Sequence, residues 1–98
     1  MSLQPKQSEF ARMVALLIQF ITQMGYEVTF SDAYATDGHC EGSYHYLRLA
    51  IDLNLFKDGV FLTKTEDHRF AGEFWENIGG TWGGKFERSD GNHYSLGE

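Results

Sequence analysis

Four residues of this 98-residue chain have the types and spacing for metal-assisted hydrolysis: His45, Asp52, Asp90 and His93. His45 and Asp52 bracket the stretch Tyr-Leu-Arg-Leu-Ala-Ile, at the start of an apolar strand pattern. Asp90 and His93 stand three apart in Ser-Asp-Gly-Asn-His-Tyr at 89–94. Two histidines and one aspartate are enough protein ligands for a catalytic zinc with an open fourth position. The remaining aspartate could then act as general base toward an activated water.

The spacing sets conditions on the elements that carry these groups. Ligands of one ion need Cα atoms within roughly 10–12 Å, given metal–ligand bonds of about 2 Å plus side-chain reach. A straight strand from His45 to Asp52 would span about 23 Å. A bend must therefore follow His45, and only the later part of 43–52 can be regular strand. Asp90 and His93 are an odd number of positions apart and would face opposite sides of a flat strand. Gly91 offers relief, since a glycine with positive φ can make a turn or bulge there. Taken singly, the histidines also read as surface groups, and Asp90-Gly91-Asn92 as an ordinary turn. Asp52, in mid-strand among leucines, is the least ordinary of the four, because strands disfavour aspartate and burying it unpaired is costly.

The elements around them follow from periodicity. Phe10, Met13, Val14, Leu17, Phe20, Ile21 and Met24 form one apolar helix face, with Ser8 as N-cap and Gly25 as stop. Residues 1–7 read as a flexible lead-in. Tyr26–Tyr34 alternates as a strand, and Ala35–Gly42 is a small, polar loop. Leu47–Phe56 alternates again, Lys57-Asp58-Gly59 turns, and Val60–Leu62 returns as a hairpin partner. Thr65 caps a second helix whose buried side is Phe70, Phe74, Trp75 and Ile78, ended by Gly79-Gly80. A short strand near Asn92–Leu96 closes the chain. This order predicts a single α+β domain over residues 1–98, a small antiparallel sheet with two main helices.

The formal charge of −6 leaves no basic stripe for phosphates and excludes a nucleic-acid binder. Hydrophobic content of 42% and aromatic content of 15% fit a globular chain with one core. The single cysteine, Cys40, excludes an internal disulfide framework. No run is long enough for membrane insertion, and no signal peptide opens the chain, so synthesis in the cytoplasm is expected. His39 and Cys40 are adjacent and awkward as joint ligands. His68 reads as an exposed or capping residue in the first turn of its helix.

Ser43-x-His45 … Ala50-x-Asp52, then Trp82-Gly83-Gly84, then Asp90-x-x-His93-Tyr94, resembles the zinc D-alanyl-D-alanine carboxypeptidase and L-alanyl-D-glutamate endopeptidase family. The likeness spans residues 26–96 and is nearest to a short phage- and prophage-borne branch. It implies the family's fold, shared with the zinc domain of hedgehog proteins. It also implies zinc held by His45, Asp52 and His93, with Asp90 as catalytic carboxylate. The implied substrate is the stem peptide of bacterial peptidoglycan, and the implied place of action the bacterial cell wall. Tyr34, Ser43, Arg48 and Trp82 are the candidate substrate-facing residues, with core filling as the alternative for Trp82. Two departures accompany it. Most of the family has glycine where this chain has Arg48. Relatives also carry an arginine soon after the first strand, where it helps hold a substrate carboxylate or oxyanion; here Ala35-Thr36 follows Tyr34. That loss raises a rival expectation, a catalytically silent zinc-stabilised domain that binds cell-wall peptide or a phage structural partner.

Overall fold

Helix α1 runs from Gln4 to Gln23 in the computed structural model, which describes residues 2–32 and 47–97. It starts before the expected Ser8 cap, and residues 4–7 are its first turn instead of a loose lead-in. Pro5 accounts for the difference: its fixed φ suits the first helical turn, where its missing N–H would have no partner anyway. Phe10, Met13, Val14, Leu17 and Ile21 are buried on one face. Met24, expected on that face, is 50% exposed because it is the C-cap and already leaves the helix. The chain then closes in a Schellman arrangement, with Tyr26 N donating to Ile21 O and Gly25 N to Thr22 O.

Among the described residues five strands form an antiparallel sheet: β1 Glu27–Asp32, β2 Ala50–Lys57, β3 Val60–Leu62, β4 Thr81–Trp82 and β5 His93–Ser95. β1 lies along one edge of β2. On the other edge β5 and β3 sit end to end: β5 pairs with Ala50–Asp52, and β3 with Leu55–Lys57. β4 extends the sheet beyond β5. The β2–β3 turn has positive φ at both Asp58 and Gly59, the combination that matches the right-handed twist of a hairpin.

β2 begins three residues later than the leucine alternation suggested. Arg48 sits in a turn at φ 57° and interrupts the strand. From Ala50 onward the alternation holds. Ile51, Leu53 and Leu55 are buried, and Asp52, Asn54 and Phe56 face the other way.

A 3-10 turn, Thr65–His68, leads into helix α2, Arg69–Asn77. The cap is Lys64 in place of Thr65: its N–H donates to Asp67 Oδ2 at 3.0 Å and its carbonyl accepts from Asp67 N. Trp75 and Ala71 are fully buried, with Phe70, Phe74 and Ile78 packed at the margin. The two helices cover one face of the sheet, and their apolar sides meet Ile51, Leu53, Leu55, Trp82 and Tyr94 there. That assembly is the expected α+β architecture. The opposite sheet face carries Asp52 and His93.

Candidate metal centre

Asp52 and His93 are direct partners across β2 and β5. Opposed residues of an antiparallel pair project from the same face, so the carboxylate and imidazole meet. Asp52 Oδ1 and His93 Nδ1 are 3.2 Å apart, with side chains only 17% and 12% exposed. Asp90 joins them from the turn before β5. Ligand-capable atoms of Asp52, Asp90 and His93 all lie within 4.8 Å of one another. Two sequence-distant segments thus deliver three donors to one point. His45, the other expected ligand, lies outside the described residues, as do Tyr34 and Ser43 among the expected substrate contacts.

The turn that presents Asp90 is held on several sides. Asp90 N donates to Gly83 O at 2.9 Å, and His93 N returns to Asp90 O at 3.2 Å. Trp82 Nε1 donates to Gly91 O at 2.7 Å. Leu53 N donates to Asn92 O at 2.9 Å, prolonging the β2–β5 ladder past His93. A Cβ on Gly83 would stand 2.4 Å from Asp90 O and 2.9 Å from His93 Cβ. The Trp-Gly segment is therefore the surface on which the Asp-x-x-His turn rests. Gly91 serves differently from expectation. It is not among the positive-φ glycines; it is small because a Cβ there would meet Thr65 Cα at 2.5 Å.

Two of the expected substrate contacts can be placed. Trp82 is 1% exposed and belongs to the core side of β4, opposite Tyr94. It supports the turn from beneath and offers no face to a cleft, so the core alternative is the one the structure takes. Arg48 is exposed in the turn before β2, and the preceding residue of that turn is tied to α1 by Gln7 Nε2 donating to Leu47 O.

His68 corrects the sequence reading. It is 3% exposed, and its Nδ1 lies 2.7 Å from the Tyr94 hydroxyl. Burial pushes its pKa down to about 4, with neighbouring Asp67 pulling weakly the other way. Burial likewise raises the Tyr94 phenol above its usual range. The pair is neutral at ordinary pH and lies under the strand that carries His93. The signal was present in the spacing: His68, Ala71, Gly72 and Trp75 fall on one helix face, and Ala71, Gly72 and Trp75 are all buried. A second indole supports the far end of β5, where Trp75 Nε1 donates to Ser95 O at 2.8 Å. On the open side, the Phe86 ring stands 5.6 Å from the His93 imidazole.

A cavity of about 330 Å³ opens beside Asp90. Its floor is Leu53 and Asn54, the β2 residues left between the β5 and β3 pairings. Its walls come from the β3–α2 connection and the 89–92 turn.

A protein-family model described as D-alanyl-D-alanine carboxypeptidase matches residues 37–96, more than half of the chain. The match contains Asp52, Trp82, Gly83, Asp90 and His93. No curated protein matches the chain.

Proposed function

This chain belongs to the D-alanyl-D-alanine carboxypeptidase family, a family of peptidases, and from that premise we propose that it is a zinc-dependent enzyme cleaving the stem peptide of bacterial peptidoglycan. The bond would be D-Ala-D-Ala or L-Ala-D-Glu, and the setting a phage or prophage acting on the host wall. The observation that carries the proposal is the convergence of Asp52, Asp90 and His93 within 4.8 Å on a partly buried sheet face.

The donors suit the metal. An imidazole and a carboxylate, held side by side by strand register, are ordinary zinc ligands. Asp52 and His93 would hold the ion together with His45. When bound, it supplies a Lewis acid that acidifies water and polarises a carbonyl. Asp90 is exposed and set on a turn fixed through both neighbouring backbone segments. It takes the proton of the attacking water and returns it to the departing amine nitrogen. Phe86 shields one side of the imidazole from bulk water.

Metal analysis of the purified protein tests this, with about one zinc per chain expected. Asp90→Asn should keep the zinc and lose hydrolysis of purified peptidoglycan. Metal-free protein with an intact fold would sink the proposal. The second reading, a silent zinc-stabilised domain that binds cell-wall peptide, is favoured by the lack of any Arg or Lys in residues 32–46. Preorganised positive charge is often the largest catalytic contribution. Mass spectrometry of a defined muropeptide after incubation separates the two readings.

A further inference from the structure

Lys64 has a fixed backbone and, among the described residues, a head group without an ion-pair partner. Its N–H and carbonyl are both bonded to Asp67, so its Cα is pinned at the start of the 3-10 turn. Its ammonium has no carboxylate partner among the described residues. Arg69 and Lys85, by contrast, are paired with Glu66 and Glu76.

Lys64 also lines the cavity that starts at Asp90. Among the described residues lining that cavity it is the sole cation, because His68 is held neutral by burial. Thr63, Thr65 and Ser89 supply hydroxyls along the same walls, and Asn92 an amide. These are neutral donors that supplement an ammonium around an anionic oxygen. In an acidic chain with net charge −6, a lysine with no ion-pair partner among the described residues thus lines the same cavity as Asp90. A volume of about 330 Å³ takes roughly one residue of a peptide with its solvating water.

We propose that this cavity is a carboxylate-binding subsite, in which Lys64 anchors a free carboxylate of the substrate peptide one residue or so from the scissile bond. The inference rests on the peptidase reading and adds its specificity determinant. Cation and carboxylate together fix which residue of the peptide lies next to Asp90. The ammonium is mobile and hydrated, so it contributes selection and affinity and leaves the proton transfers to Asp90.

The test uses the full, zinc-loaded chain carrying Asp90→Asn to stop turnover. Three stem pentapeptides are titrated by isothermal calorimetry: the free acid, the C-terminal amide, and the D-Glu α-amide. The free acid should bind roughly five- to tenfold more tightly than one of the two amides. Weakening by the C-terminal amide identifies the terminal carboxylate, and weakening by the D-Glu amide the internal one. Lys64→Gln should erase that difference while zinc content stays at its original level. Equal binding of all three peptides, or a difference that survives Lys64→Gln, overturns the proposal. If the unsubstituted chain digests peptidoglycan yet the Asp90→Asn chain binds all three peptides alike, the subsite falls and the peptidase stands. If the difference depends on Lys64 but the unsubstituted chain cleaves nothing, the subsite stands and the peptidase reading falls.

Discussion

The indole N–H of Trp82 donates to the carbonyl of Gly91 at 2.7 Å, one residue from Asp90 and two from His93. A buried side chain on the core face of the sheet thereby sets the position of groups on the opposite face. Removing the donor while keeping an aromatic ring isolates that link. Trp82→Phe should lower stability by about 1–3 kcal/mol, since it leaves a buried carbonyl without its partner. Zinc affinity should fall with it. Chemical denaturation and a competitive metal titration check the two effects, and a change in stability with unaltered metal affinity would show that the link does not reach the site.

Gly83→Ala probes the same turn from the other side. Its new methyl would overlap Asp90 O and His93 Cβ. The turn has to move, so the variant should lose most hydrolysis and much of its zinc, with destabilisation of about 1–3 kcal/mol from overpacking. Gly79→Ala is the control, because among the described residues no heavy atom beyond its own chain neighbours lies within 4 Å of its added Cβ. It should lose stability through its positive φ and retain metal affinity.

The pH dependence follows from His68. Its folded pKa is down to about 4, below the unfolded 6.5, so the unfolded chain binds the extra proton between those values. The contribution is fully present above pH 6.5 and is lost as pH falls toward 4. The total is roughly 2–3 kcal/mol. Urea denaturation of the metal-free protein across that range should show the loss. His68→Gln, which does not titrate, should flatten the curve, and an unchanged slope would assign the acid sensitivity to other groups.

Chelation should lower the melting temperature, because an ion bound only by the native state adds stability. His93→Ala should abolish both the zinc and the chelator effect. Calorimetric scans with and without chelator, alongside elemental analysis, measure this directly.

Arg48 occupies a left-handed conformation, at φ 57°. Glycine would adopt that backbone without a Cβ penalty. Arg48→Gly and Arg48→Ala both remove the guanidinium and its stem, so their difference reports chiefly the cost of a Cβ in this backbone. Glycine should be the more stable by about 1–2 kcal/mol. Equal melting temperatures would place position 48 outside the left-handed region.

Much of the fold was legible because it rests on short-range patterns. The helix face from Phe10 to Ile21 and the leucines of β2 reflect 3.6- and 2-residue periods that burial then satisfied. The convergence of Asp52, Asp90 and His93 was legible only as a condition, a turn at 89–92. The bend required between His45 and Asp52 concerns a histidine outside the described residues, and residues 47–48 on its near side form a turn. The turn appears without the positive φ expected of Gly91, because what constrains that glycine is Thr65, distant in sequence. His68 and Trp82 were misjudged or left open for the same reason. Each is defined by one tertiary hydrogen bond, to Tyr94 and to Gly91, that no local pattern announces.

The pairing of Asp52 with His93 across β2 and β5 has a consequence for how the chain reaches its native state. A slip of one residue between these strands would send the two side chains to opposite faces. β5 is only three residues long, so backbone hydrogen bonds discriminate weakly among such misalignments. An ion that binds the correct alignment alone would add its binding free energy to that one arrangement. The metal would then act during folding as a proofreader of strand alignment, before any peptide arrives.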